Sequence, residues 1–155
     1  MQRGQKKLGE ILVEKGLISL KQLEEALAQQ ARTKEFLGEI LIKKRLIKEK
    51  ELQEALSAQF DIPVVSLKDK YIDWNLVKEF YSSLIMDYKC FPVGRDDWSV
   101  TMAITNPLDI WAIKRAEEET AGFKLKLVLV STADMNEAIA RYQQHVRGDI
   151  QKRFK

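Results

Sequence analysis

The stretch KLGEILVEKGLISLKQLEEALAQQ at residues 7–30 returns as FLGEILIKKRLIKEKELQEALSAQ at residues 36–59. The offset is 29 residues and 14 of the 24 aligned positions are identical, where chance pairing at ordinary composition gives roughly one or two. A unit written twice leaves two readings open: a pseudo-symmetric helical core, or a site shaped for a ligand that is itself two-fold. Each copy reads as helix, break, helix. Leu8, Ile11 and Leu12 stand at 3, 4 spacing on one stripe. Gly16 then stops the helix, because the left-handed conformation costs glycine nothing. Ser19 with Gln22 three residues on is a capping box that opens a second helix, whose face is expected to carry Leu20, Leu23, Ala26, Leu27 and Gln30. In the second copy Arg45 replaces the glycine, Lys48 replaces the capping serine, and Glu51 sits at the third helical position. An arginine in the left-handed region costs about 1 kcal/mol or more, so this connection is expected to be either strained or differently shaped.

Working outward, the pattern changes near Phe60. Asp61, Pro63 and Asp69 mark a link with Val64 and Val65 packing between. Residues 74–87 read as one helix with Val77, Phe80, Tyr81, Leu84 and Ile85 on a face. Tyr88 to Val93 reads as a strand, Gly94-Arg95-Asp96-Asp97 as a turn, and Trp98 to Ile104 as its hairpin partner. Asn106-Pro107 precedes a helix with Ile110, Ile113 and Ala116 inward, ended by Gly122. Phe123 to Val130 reads as a strand, and Ser131, Thr132 and Asp134 open a last helix through Met135, Ala138, Ile139 and Tyr142. The order α-β-β-α-β-α predicts an α+β fold. A helical tandem-repeat lobe is expected over 5–60, an α+β lobe over 61–147 and a polar tail over 148–155.

Composition bounds the function. The chain has 155 residues, 45% of them hydrophobic and 32% charged, ordinary for a soluble domain. The lone cysteine, Cys90, excludes an internal disulfide and fits a reducing compartment. No apolar run reaches the length of a membrane span, and Glu10 and Glu14 interrupt any signal-peptide core, so a cytoplasmic protein is expected. Residues 1–59 hold 12 Lys and Arg against 9 Asp and Glu, which accounts for the whole net charge of +3. Its densest cluster is Lys43, Lys44, Arg45, Lys48 and Lys50, a solvated helix end or a lure for an anionic partner. This is too weak a charge for duplex nucleic acid, and no aromatic residues are interleaved for single strands. No GxxxxGK[ST] loop is present for ATP. His145 and Cys90 alone build neither a zinc site nor a nucleophile pair. His145 reads as a plain helix-end residue, Asp96-Asp97 as turn formers, and Glu117 to Glu119 as a solvated face. Trp74, Trp98 and Trp111 are too scattered for a stacking platform. No enzyme is expected, and no catalytic or metal-binding residue is assigned.

The doubled motif [RK]LGx(L/I)(L/I)xxxG(L/I)(L/I)xxxxLxxxLxxQ, with its spacer ARTKE, resembles the N-terminal domain of type II secretion and type IV pilus assembly ATPases. FDIPVVSL, the block IMDYKCFPVGRDDWSVTMAITNPLD and the helix ending AIARYQQ resemble its second subdomain. The resemblance implies a non-catalytic docking and regulatory module. Its implied partners are the ATPase body and the inner-membrane platform protein, at the inner face of the inner membrane, and in some members cyclic di-GMP. The nucleotide motifs of the motor being absent, the chain is expected to be a fragment of a longer ATPase or a free-standing relative. Carried over by residue, the ligand positions are Lys7, Leu8, Gly9 and Gln30 in one copy and Phe36, Leu37, Gly38 and Gln59 in the other. Lys7 keeps the cation the family places first but lacks arginine's planar fork. Phe36 keeps a stacking surface without charge or donors. The bare backbone of the glycines admits close approach, or packs helix on helix.

Overall fold

Residues 7–153 are described by the computed structural model. Residues 5–6 of the expected helical lobe and 154–155 of the expected tail lie outside them. The chain divides into two compact units, one through Ile62 and one from Pro63 onward.

The first unit is four helices: α1 (Leu8–Glu14), α2 (Leu20–Thr33), α3 (Leu37–Lys43) and α4 (Glu49–Phe60). The two copies end their short helices with matching hydrogen bonds. After α1, Gly16 takes φ +74; its N–H donates to Val13 O (3.0 Å), and Leu17 N–H to Leu12 O (3.0 Å). After α3, Arg45 takes φ +60, with Arg45 N–H on Ile42 O (2.9 Å) and Leu46 N–H on Leu41 O (3.0 Å). Both are Schellman closures. The connection at Arg45 is therefore the same shape as its glycine counterpart, and of the two expectations strain is the one observed. Ser19 caps α2 with a reciprocal box: Gln22 N–H donates to Ser19 Oγ (3.1 Å) and Ser19 N–H to Gln22 Oε1 (2.8 Å). At α4 only the second half survives, Lys48 N–H to Glu51 Oε1 (2.8 Å), since an ammonium cannot accept.

Helix α1 packs on α4, and α2 packs on α3. Exchanging the copies turns one of these pairs into the other, the signature of a pseudo-two-fold axis rather than a translational stack. The core of the unit is Leu8, Leu12, Ile18, Leu23, Ala26, Leu37, Ile40, Leu41, Ile47, Ala55 and Leu56. Leu20 and Leu27, expected inward, are exposed. The buried stripe of α2 is narrower and centred on Leu23 and Ala26; Leu20 lies in the first turn and Leu27 on the shoulder.

The second unit is a sheet of order β1-β2-β3 flanked by helices: α5 (Trp74–Val77), α6 (Ser82–Met86), β1 (Phe91–Arg95), β2 (Ser99–Ile104), α7 (Ile110–Glu119), β3 (Lys124–Leu129) and α8 (Thr132–Arg153). Strands β1 and β2 are antiparallel, with a bulge between Pro92 and Gly94. Strands β2 and β3 are parallel, which needs a crossover, and α7 supplies it. Pro63 to Val65 adds one bridging step on the far side of β3: Leu129 N–H donates to Pro63 O (2.8 Å) and Val65 N–H to Leu129 O (2.9 Å). The core joins Val77, Ile85, Phe91, Ala103, Val130, Met135, Ala138 and Ile139.

Several sequence expectations shift here. Residues 74–87 form two short helices, not one. Tyr81 is extended at the start of α6 (φ −65, ψ 143), and its N–H donates to Glu119 Oε1 (2.8 Å). Strand β1 begins at Phe91, not Tyr88, because Lys89 turns through φ +53. The turn contracts to Asp96 through Trp98, with Asp96 Oδ1 accepting from Trp98 N–H (2.8 Å) and Ser99 N–H (2.7 Å). Those bonds hold the Asp96 carboxyl below its ordinary pKa. Ile110 points outward, and Ala112 and Ala116 make the buried stripe of α7. Helix α8 runs through 148–153, where a tail was expected.

Candidate functional site

The eight candidate ligand positions fall into two equivalent sets. Lys7 and Phe36 each occupy the residue before a seven-residue helix, in nearly the same backbone state (φ −73, ψ 154 and φ −68, ψ 141). Lys7 O accepts from Ile11 N–H at 3.1 Å, and Phe36 O from Ile40 N–H at 3.2 Å. Lys7 is exposed and Phe36 half-buried. Leu8 and Leu37 are buried and build the core. Gly9 and Gly38 are buried too, and the structure gives them a packing reason. A Cβ on Gly9 would stand 2.6 Å from Leu23 Cδ1, and one on Gly38 would stand 2.7 Å from both δ-carbons of Leu52. Each glycine is the notch into which a leucine of its own copy's second helix fits. Gln30 on α2 and Gln59 on α4 are half-buried.

The crosswise pairing relates these positions at the level of whole helices. Lys7, Leu8 and Gly9 lie at the start of the helix packed on α4, which carries Gln59. Phe36, Leu37 and Gly38 lie at the start of the helix packed on α2, which carries Gln30. With the leucines committed to the core, Lys7 is the one exposed side chain of the eight, and Phe36, Gln30 and Gln59 are half-buried.

The basic cluster Lys43, Lys44, Arg45, Lys48 and Lys50 is exposed throughout. Lys43 pairs with Glu35, which raises the Lys43 pKa and lowers that of Glu35, the hydrogen bond between them being the main cause. A hollow of about 330 Å3 at the α3–α4 connection is lined by Arg45, Lys48 and Glu51 with Ile42, Leu46 and Ile47; none of the eight candidate residues lines it. In the second unit a hollow of about 50 Å3 has Asp134 and Arg141 at its wall. Asp134 Oδ2 accepts from Leu67 N–H (2.8 Å) and Ser66 Oγ (3.1 Å), and Arg141 Nη1 donates to Lys70 O (3.1 Å). Those bonds staple the 66–70 segment to α8.

Two sequence readings change at this level. Glu119, read as part of a solvated face, has a side chain only 9% exposed and accepts from Arg115 Nε (2.8 Å) as well as from Tyr81 N–H. Arg115 also reaches Ser83 Oγ (3.3 Å) and lies over the rings of Tyr81 and Tyr88. The i, i+4 spacing of Arg115 and Glu119 was the legible sign. His145 is no plain helix-end residue: its ring stacks on Trp74 with centroids 4.2 Å apart and planes 3° from parallel. Trp98 and Trp111 are 82% and 69% exposed, so neither belongs to a core. Cys90 is buried and its thiol pushed up to about 12, by desolvation first and then by the charges of Asp109 and Glu119.

Among known proteins, the MshEN domain model matches residues 60–149, more than half the chain. That match falls on the end of α4 and the second unit, not on the repeat. Type IV pilus assembly ATPase PilB of Myxococcus xanthus (strain DK1622) is 32% identical over 136 residues, 88% of this chain and 24% of that protein. The chain thus spans about a quarter of that relative's length. A solved structure of MshE with cdg superposes with a TM-score of 0.81 at 27% identity, over 88% of this chain and 99% of that one. The N-terminal domain of XpsE, at 20% identity, shares the fold with a TM-score of 0.70, over 91% of this chain and 97% of that one. The superposition on MshE carries the likeness through the helical unit as well, and with the PilB alignment and the domain model it shows that this chain belongs to the MshEN family, the N-terminal domain of type II secretion and type IV pilus assembly ATPases.

Proposed function

We propose that this chain is a non-catalytic regulatory module of a type II secretion or type IV pilus assembly ATPase and that its helical unit receives cyclic di-GMP. The observation that carries the reading is the crosswise pairing of α1 with α4 and α2 with α3. A pseudo-two-fold receptor presents equivalent groups to the two halves of a two-fold ligand, and the neighbour of highest similarity in shape quoted above is a complex with cdg. The ligand groups are Lys7, Leu8, Gly9 and Gln30 from one copy and Phe36, Leu37, Gly38 and Gln59 from the other. Lys7, Phe36 and the glutamines contact the ligand, and the leucines and glycines set the backbone that admits it. The displaced titrations support a structural rather than catalytic character: Glu35, Lys43, Cys90, Asp96 and Arg115 are each explained by a packing or hydrogen-bond partner or by burial.

Calorimetric titration tests the reading. One cyclic di-GMP per chain is expected, weakened at least tenfold by Lys7→Ala, in line with the ~1.5–3 kcal/mol of a charged hydrogen bond. Absence of binding at millimolar ligand defeats it, and intrinsic ATP hydrolysis by this chain defeats the non-catalytic assignment.

A second reading, docking of the motor to the cytoplasmic face of its inner-membrane platform, is favoured by the exposed aromatics Tyr81, Trp98 and Trp111 of the second unit, residue types enriched at binding hot spots. Among the described residues no helix is long and apolar enough to cross a membrane, which suits a module held at the membrane through its partners. Co-purification of the platform protein and the ATPase body with this chain, lost on Trp98→Ala or Trp111→Ala, supports docking; retrieval of neither component defeats it.

A further inference from the structure

The two half-sites are alike in every candidate position but one. Leu8 matches Leu37, Gly9 matches Gly38 and Gln30 matches Gln59, whereas Lys7 corresponds to Phe36. The backbone does not absorb the difference. The two residues share one conformation, and their carbonyls close the same helical turn at 3.1 and 3.2 Å. Equivalent frames therefore offer unlike chemistry to the two ends of a ligand. A lysine ammonium donates hydrogen bonds, and guanine presents O6 and N7 as a pair of acceptors that lysine reads well, while adenine puts an amino donor beside N7. A phenylalanine ring donates nothing. It stacks, and stacking tolerates any base because every base has a π-face.

From this we infer that the site is a hybrid reader. The Lys7 end requires guanine and the Phe36 end accepts either purine, so this chain binds 3′,3′-cyclic GMP-AMP about as well as cyclic di-GMP. The inference rests on the cyclic di-GMP reading above. It adds that the repeat has kept its two-fold frame while its selectivity has become one-sided.

The test is titration of the intact chain with cyclic di-GMP, 3′,3′-cyclic GMP-AMP and cyclic di-AMP. Expected are affinities within about threefold for the first two, and a loss of tenfold or more for cyclic di-AMP, in which no guanine meets Lys7. Phe36→Lys should restore a preference of tenfold or more for cyclic di-GMP over the hybrid. Phe36→Trp, which keeps the stacking surface of a half-buried position, should leave the hybrid accepted; circular dichroism confirms that both variants remain folded. If cyclic di-GMP binds and the hybrid binds more than tenfold more weakly, the hybrid reader is overturned and the receptor reading stands. Equal binding of cyclic di-AMP also overturns it, since neither end would then read guanine. If no nucleotide binds at millimolar concentration, both readings fall.

Discussion

Arg45 is the plainest residue-scale departure between the copies, and its cost can be measured. It holds φ +60 in the closure that Gly16 makes at φ +74. A non-glycine residue there costs about 1–2 kcal/mol, offset in part by the greater freedom a glycine has when unfolded. Arg45→Gly is expected to raise stability by about 1 kcal/mol, read as a higher urea midpoint with an unchanged slope; an unchanged or lower midpoint would mean that the arginine makes a compensating contact. The glycines at the other end of the short helices have the opposite sign. Gly9→Ala and Gly38→Ala each drive a methyl against a leucine δ-carbon, at 2.6 and 2.7 Å. Overpacking costs about 1–3 kcal/mol, against about 1 kcal/mol of better helix propensity. Both variants should melt earlier, Gly9→Ala by more, because buried Leu23 has less room to swing aside than half-buried Leu52. Cys90, with its thiol raised to about 12, is expected to ignore Ellman's reagent in the native state at pH 8 and to react on unfolding. The buried thiol keeps its proton where the unfolded one, near its ordinary value of 9, gives it up. Its linkage is therefore silent below pH 9, and stability should fall as pH climbs from 9 toward 12.

Elements were legible where a local rule decided them. The capping box at Ser19, the stop at Gly16 and the strand read at Trp98 to Ile104 follow from the spacing of a few residues, and the structure has them in place, the strand starting one residue later at Ser99. What was not legible depended on partners distant in sequence. The apolar pattern of 74–87 suits one helix, but Tyr81 is pulled into an extended conformation whose N–H goes to Glu119, 38 positions away. Leu20, Leu27 and Ile110 fit helical stripes equally well; only the width of the neighbouring helix decides which members of a stripe are covered. The stacking of His145 on Trp74 likewise joins two elements that the sequence does not connect. Capping predicts an asymmetry between the copies. Ser19→Ala should cost about 1 kcal/mol, since it removes an acceptor from Gln22 N–H. Lys48→Ser should gain about 0.5–1 kcal/mol by completing the box that Glu51 half makes. Equilibrium denaturation of the two variants checks both signs together, and a Lys48→Ser variant no more stable than the parent would show that the α4 terminus is already satisfied.

At the scale of the whole molecule the repeat announced four helices, and the helix contacts supply what it did not. Two copies of helix-turn-helix could have stacked by translation, but α1 on α4 and α2 on α3 are the contacts of a rotation. The candidate site is a set of positions that the motif names. It was not legible as a set of burial states: Leu8, Leu37, Gly9 and Gly38 belong to the core, Lys7 is exposed, and Phe36, Gln30 and Gln59 are half-buried. The pairing of each short helix with the long helix of the other copy then ties the two half-sites together, so a ligand should engage both or neither. Hydrogen–deuterium exchange of the intact chain with and without saturating cyclic di-GMP tests this most directly. The account predicts slowed exchange in both 7–30 and 36–59, with residues 63–153 little changed. No protection at saturating ligand, or protection confined to one copy or to the second unit, would contradict it.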